Sequence, residues 1–341
     1  MAKKPPLAAS ANPYRLLEVD PRARPEVIKG AYNALMKVVH PDHGGDEATF
    51  TAVTEAYKTL SDPARRAAFD AKAKPGKGTV IGSFRILEEL AEGGFGTTYK
   101  GEHVRTRMPV CIKYCSEISA QAEEVLVNET NSIWDLKHFG LPVMRDLLTL
   151  DDGSLALVMS YEEGPTLEQV VEKIGRIDPE HVAWITERIL NALLYLHRHG
   201  VVHGDLKPQN IIIKPKEHLV SLIDFGLAMI KPDKGARSSG YTPLFAPPEQ
   251  EKGGVLLPES DFYSLGMTMI YALSGDLKRT ARREIPSDVP EPLCDFIRSL
   301  IVRDVLARPN WDKSNVYEDY LDVRKRSFGR GRSDMKPLPG F

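Results

Sequence analysis

The chain has little of what would tie it to a membrane, an oxidising compartment or a polyanion. Three cysteines in 341 residues, an odd number without metal-type spacing, argue against a disulfide framework or a thiolate metal site. They fit reduced thiols in a cytoplasmic setting. No apolar run approaches the roughly 20 residues of a spanning helix, and no apolar signal segment follows the basic start Met1-Ala2-Lys3-Lys4. A net charge of −2 is not the cation surplus of a nucleic-acid binder. Neither a membrane nor a nucleic acid is therefore an expected partner. What is present, 42% hydrophobic and 27% charged residues, describes an ordinary soluble globular protein, long enough for two or three cores.

Two folded units can be read along the chain. Residues 1–11 are short, basic and rich in Ala and Pro, and are expected to be disordered. Residues 12–70 read as helices without strands. Val27, Ile28, Ala31, Leu35, Val38 and Val39 make a 3.6-period stripe from Pro25 to Val39. A second helix runs from about Asp46 to Leu60, and Ser61-Asp62-Pro63 breaks and recaps the chain. Residues 71–83 form a basic, glycine-rich linker. From Phe84 the pattern turns to β-prone runs at Phe84–Leu90, Thr97–Glu102, Pro109–Tyr114 and Leu155–Tyr161, and after Thr166 it is mainly helical.

Five polar residues stand in order within that second unit: Lys113, Glu129, Asp205, Asn210 and Asp224. Asp205 lies in His203-Gly204-Asp205-Leu206-Lys207-Pro208-Gln209-Asn210, and Asp224-Phe225-Gly226 follows. Residues 84–325 resemble the eukaryotic-type protein kinases, and Lys207-Pro208 resembles the serine/threonine subgroup. The resemblance implies an α+β bilobal fold, ATP and Mg2+ as cofactors and a protein hydroxyl as substrate. It also implies roles. Asp205 would accept or orient the hydroxyl proton and Lys207 would neutralise the transferred phosphoryl group. Asn210 and Asp224 would ligate magnesium through hard oxygen donors. Lys113 in Val110-Cys111-Ile112-Lys113 would reach the phosphates, aimed by Glu129 on a helix nine residues before His138.

The remaining nucleotide contacts follow from the same resemblance. Leu90-Ala91-Glu92-Gly93-Gly94-Phe95-Gly96-Thr97-Thr98 would lay backbone N–H groups over the phosphates. A glycine cluster in a hairpin is by itself only a turn. Ala91 replaces the family's first glycine, and Thr98 stands where a valine covers the base. Cys111 takes the position that roofs the adenine, Met159 is the gatekeeper, Ser160, Tyr161 and Glu162 form the hinge, and Ile212 completes the set. Glu249, in Ala246-Pro247-Pro248-Glu249, would pair with Arg308, and Asp261 would brace the catalytic loop. Gly204 departs from the pattern, standing where many kinases carry an arginine that binds an activation-loop phosphate. A phosphate on Ser238, Ser239 or Thr242 would therefore lack its usual clamp. The stretch from Ser274-Gly275 to Leu293 is short for the helix that docks protein substrates.

His40-Pro41-Asp42 links the two N-terminal helices, flanked by Asn12-Pro13-Tyr14 and by Glu55-Ala56-Tyr57 through Asp70. Residues 12–70 resemble a J domain, which implies an all-α module that docks DnaK-type chaperones through that loop. Asn33-Ala34 replaces the usual basic pair, while Lys29 and Lys37 remain. The basic residues around Arg324 and the tail 326–341 read as solvated. Two other readings stand beside the kinase. One is a non-catalytic co-chaperone or adaptor with a nucleotide-binding pseudokinase; the other is a small-molecule kinase.

Overall fold

Residues 12–20, 23–41, 45–72, 75–93, 96–115, 120–150, 154–232, 236–238, 240–331, 338 and 340 are described by the computed structural model. The expected disordered start 1–11, together with Asp42, Gly94, Phe95, Ser239 and most of the tail beyond Gly331, lies outside these residues. The chain divides into two compact units, Met1–Val127 with Arg145–Tyr161, and Asn128–Met144 with Glu162–Phe341.

The first unit begins with helices α1 (Pro13–Leu16), α2 (Pro25–Val39), α3 (Glu47–Ser61) and α4 (Pro63–Lys72). Pro25 opens α2, where a missing N–H costs nothing. Asp46 caps α3 by accepting the Thr49 N–H at 2.9 Å. Of the α2 stripe, Ile28 is buried with Val53, Ala56 and Leu60 of α3 and with Tyr14 and Leu17, whereas Val27 and Val38 are exposed, a correction to the expected apolar face. Tyr32 stacks on Tyr57 at 4.1 Å and His40 meets Phe50 edge-on at 5.1 Å, so α2 and α3 run antiparallel. Arg66 fastens α4, donating to the Tyr14 hydroxyl at 2.9 Å and to the Ala23 carbonyl at 3.0 Å.

A six-stranded sheet follows, in the order β1-β2-β3-β4-β6-β5. Its strands are β1 (Val80–Ile81), β2 (Phe84–Gly93), β3 (Gly96–His103), β4 (Pro109–Cys115), β5 (Met144–Thr149) and β6 (Leu155–Ser160). Period-two alternation turns Ile86, Tyr99, Val110, Ile112, Tyr114 and Val158 into one buried cluster. Secondary structure enters the 71–83 stretch from both ends, since α4 reaches Lys72 and β1 pairs Ile81 with Phe84.

Helix α5 (Ala120–Ile133) crosses the boundary between the units. The second unit holds α6 (Leu167–Ile174), α7 (Pro179–Arg198), α8 (Pro248–Glu251), α9 (Pro258–Ser274), α10 (Leu277–Ala281), α11 (Glu291–Leu300) and α12 (Val316–Phe328). Its core is built on Trp184, Leu190 and Leu193 of α7, Phe262 and Ile270 of α9, and Leu293 and Ile297 of α11. Two ribbons complete it. Strand β7 (Val201–Val202) pairs with β10 (Met229–Ile230), and β8 (Ile211–Lys214) with β9 (Leu219–Leu222). The nesting of these pairs sets the loop after β7 beside the loop after β9. Arg324 is a correction to the solvated basic stretch. It is buried and ion-paired with Glu187, because α12 packs against α7 and an unpaired guanidinium there would be costly. The exposed residues of the helix carry both signs, Glu318, Asp319 and Asp322 beside Lys325 and Arg326, and Arg326 pairs with Asp322 at 2.9 Å.

Candidate active site

Asp205 sits in the loop between β7 and β8 and is 9% exposed. Its Oδ2 receives Lys207 Nζ at 2.7 Å and Asn210 Nδ2 at 3.1 Å. Its Oδ1 receives the Thr242 hydroxyl at 2.6 Å, and Lys207 Nζ also donates to Thr242 Oγ1 at 2.9 Å. Thr242 is therefore engaged in this cluster. Its proton and one lone pair are already committed to Asp205 and Lys207. The short turn Pro208–Asn210 sets the spacing, and Asn210 Nδ2 also donates to the Asp205 carbonyl at 2.9 Å. Both acceptors are oxygens that cannot donate, which fixes the amide orientation and leaves Asn210 Oδ1 as the acceptor end.

The loop backbone is held by Asp261 in the first turn of α9. Its Oδ2 accepts the His203 N–H at 2.8 Å and its Oδ1 the Gly204 N–H at 2.9 Å. His197 Nε2 meets Oδ2 at 2.8 Å, while His197 Nδ1 lies 2.7 Å from the indole Nε1 of Trp311. An indole N–H only donates, so Nδ1 is bare and Nε2 carries the proton towards the carboxylate. Burial pushes the Asp261 carboxyl up. The hydrogen bond from His197, with that from the Gly204 N–H, outweighs it and holds the group below the usual carboxylate value.

Asp224 adopts φ +63°, a left-handed conformation uncommon for a residue with a side chain and most frequent at functional sites. The preceding Ile223 N–H donates to the Asn210 carbonyl at 2.9 Å, which ties the Asp224 loop to the Asp205 loop. The Phe225 ring packs against His203 at 4.7 Å. Glu129, 1% exposed on α5, accepts the Phe225 N–H at 3.3 Å. An amide oxygen from Asn210 and a carboxylate from Asp224 are hard donors, a set that fits magnesium.

Ala91, Thr98, Cys111, Lys113 and Met159, among the expected nucleotide residues of the first unit, share one face of its sheet. Ala91 pairs with Thr98, Thr98 with Lys113, and Cys111 with Met159. Directly opposed residues project to the same side, and Cys111 and Lys113 are two apart on one strand. Gly93 and Gly96 close the β2–β3 hairpin. At Gly96, with φ +139°, a Cβ would lie 2.2 Å from the Tyr114 carbonyl oxygen. Ser160 ends β6 and Tyr161 follows it. Glu162 belongs to the second unit, where its Oε2 accepts Lys214 Nζ at 2.5 Å and the Ser221 hydroxyl at 2.8 Å. Ile212 is buried on β8 beside that pair.

Arg308 and Glu249 form a two-point pair at 2.7 and 2.9 Å, and Arg308 also donates to the carbonyls of Val302, Glu259 and Arg303. Gly204 has φ +74°, and a Cβ there would lie 2.5 Å from the Leu227 carbonyl oxygen. Its lack of a side chain is thus built into the loop. In the helical module, His40 caps α2 and Pro41 follows it, exposed.

The protein kinase domain profile matches residues 84–317, and the DnaJ domain profile matches residues 12–70. The chain belongs to the protein kinase family and carries a DnaJ domain ahead of its kinase domain, an all-α module followed by an α+β fold. Among curated proteins it is 31% identical over 220 residues to serine/threonine-protein kinase PknL of Mycobacterium tuberculosis, covering 61% of this chain and 55% of that one. It is 29% identical over 273 residues to myosin light chain kinase A of Dictyostelium discoideum, covering 71% and 92%. With a probable serine/threonine-protein kinase of the same organism it shares 27% over 280 residues, covering 76% and 56%. The chain thus spans little more than half of two of these three relatives. Among the described residues no helix is long and apolar enough to cross a membrane.

Proposed function

We propose that the chain transfers the γ-phosphoryl group of ATP to a serine or threonine hydroxyl of a protein, in the cytoplasm, and that its DnaJ domain docks a DnaK-type chaperone. The observation that carries the transfer reading is the occupancy of the Asp205 carboxylate. A carboxylate offers about four acceptor sites. Lys207 and Asn210 fill Oδ2 and Thr242 fills one site on Oδ1. The site left open, on Oδ1, is where the incoming hydroxyl would place its proton. Lys207, already within reach of Asp205 and Thr242, would neutralise charge on the phosphoryl group in flight. Asn210 and Asp224 would hold magnesium, which when bound shields the phosphates from the attacking oxygen. Lys113 would meet the phosphates from the sheet face it shares with Thr98, Cys111 and Met159. Catalysis is then positioning and charge neutralisation.

The conformation of Gly204 supports an enzyme over a decayed adaptor. The glycine meets a steric demand of the loop, so its departure from the family pattern is a backbone requirement. The sparse, odd count of three cysteines supports the cytoplasmic reading. The test is incubation with γ-labelled ATP, magnesium and a mixed protein substrate, followed by phosphoamino-acid analysis. Label in phosphoserine and phosphothreonine is expected. Release of inorganic phosphate alone, or label confined to a small molecule, would contradict the reading.

A further inference from the structure

Gly204 removes the side chain that could tie the catalytic loop to the activation segment, yet the two are tied. The side chain of Gln250 lies between them and is 3% exposed. Its Nε2 donates to the Gly204 carbonyl at 2.8 Å, to the Gly240 carbonyl at 3.0 Å and to Ser238 Oγ at 3.1 Å. Two of these acceptors are carbonyl oxygens, so only the amide nitrogen can face them, and its two hydrogens serve one loop each. Ser238 reinforces the activation-segment side, donating its hydroxyl to the Gly240 carbonyl at 2.6 Å. The clip has a rigid base. Gln250 follows Glu249, which is anchored by Arg308 at 2.7 and 2.9 Å and by the Ser260 hydroxyl at 2.8 Å.

We infer that Gln250 is a positioning residue, a neutral clip that orders the activation segment against the catalytic loop without a phosphate. This rests on the phosphoryl-transfer reading above and adds to it how the segment is kept in place. Two residues beyond Gly240, Thr242 enters the Asp205 cluster. Holding Gly240 therefore holds the hydroxyl that occupies Asp205 Oδ1. A phosphate on Ser238 would act against the clip, since it removes the O–H donor and sets a dianion beside two carbonyl acceptors.

The test compares the full chain with Gln250→Glu, which keeps the shape but removes both N–H donors. Gln250→Met, apolar and of similar volume, serves if the buried carboxylate prevents folding. Amide hydrogen exchange is followed in peptides covering 203–210 and 236–246, alongside kcat, KM for ATP and melting temperature. Expected is faster exchange confined to those peptides and a kcat lower by about tenfold, the scale of one or two buried hydrogen bonds. KM for ATP should stay within about twofold, because no nucleotide contact is removed. Unchanged exchange at 236–246 would overturn the inference. So would loss of protection spread evenly through the kinase domain, which marks a packing role only. If wild type transfers no phosphate, the transfer reading fails by itself, and the exchange comparison still decides whether the clip exists.

Discussion

Asp205 shares its carboxylate with one residue that its own neighbourhood in the sequence does not announce. Lys207 and Asn210 were legible because they lie two and five residues away in one string. Thr242 was not, since its partners stand 35 and 37 residues off and a hydroxyl carries no spacing signal. Thr242→Val is expected to lower kcat by about 10- to 100-fold with KM for ATP unchanged, the scale of a lost orienting bond to a catalytic group. Thr242→Ser should retain most of the rate. Equal rates for wild type and Thr242→Val in steady-state phosphorylation would remove Thr242 from the site. Asp261 gives a prediction in pH. Its folded value lies below the ordinary 3.8, so its stabilisation is present above that pH and lost as pH falls through the lower folded value. Asp261→Asn is expected to cost about 2–4 kcal/mol at neutral pH, the scale of buried hydrogen bonds to a charged acceptor. Urea titrations of the two proteins should show the gap closing only below pH 3.8. A gap that closes between pH 5 and 7 would contradict the assignment.

Elements with a clear period were legible and short ones were not. Helix α2 opens on a proline and α3 ends at Ser61-Asp62-Pro63, so both stood out in the sequence. Strand β1 is two residues in a glycine-rich stretch, too short for any alternation, and edge strand β5 carries Arg145 and Asp146 among its six residues. The exposed basic look of α12 concealed Arg324, because only the packing on α7 reveals Glu187 as its partner. The turn α8 is held through Glu249, and its Arg308 partner is buried. Arg308→Lys keeps the charge but loses the two-point fork and the carbonyl contacts. A loss of about 3–5 kcal/mol is expected in chemical denaturation, as for a broken buried pair. A loss under about 1 kcal/mol, the surface-pair range, would show that the pair does not anchor α8. With the segment held by an amide and Gly204 offering no cation, phosphatase-treated enzyme should keep most of its rate. Strict dependence on a phosphorylated residue between Ser238 and Thr242 would contradict this.

At the scale of the whole chain, the DnaJ and kinase domains are joined by a short connection, with α4 ending at Lys72 and β1 starting at Val80. Such a connection raises the effective concentration of each module at a shared target, to the millimolar range for short flexible linkers. The two activities should nevertheless separate. His40→Gln is expected to abolish stimulation of a DnaK-type ATPase while leaving phosphorylation of a generic substrate unchanged. The assay needs a strong J-protein control, because Asn33 and Ala34 stand in place of the usual basic pair. Stimulation that survives His40→Gln would remove the docking role from that loop. Both modules were legible because their motifs are strings of neighbours, whereas the ties that hold the site together span distant segments and became visible only in the fold. Phosphoryl transfer through Asp205 is best tested by measuring γ-phosphate transfer to a protein substrate by wild type and Asp205→Asn at matched, confirmed nucleotide binding. Asp205→Asn is expected to bind ATP as wild type does and to transfer phosphate at least ~100-fold more slowly; equal transfer by the two proteins would rule out that role for Asp205.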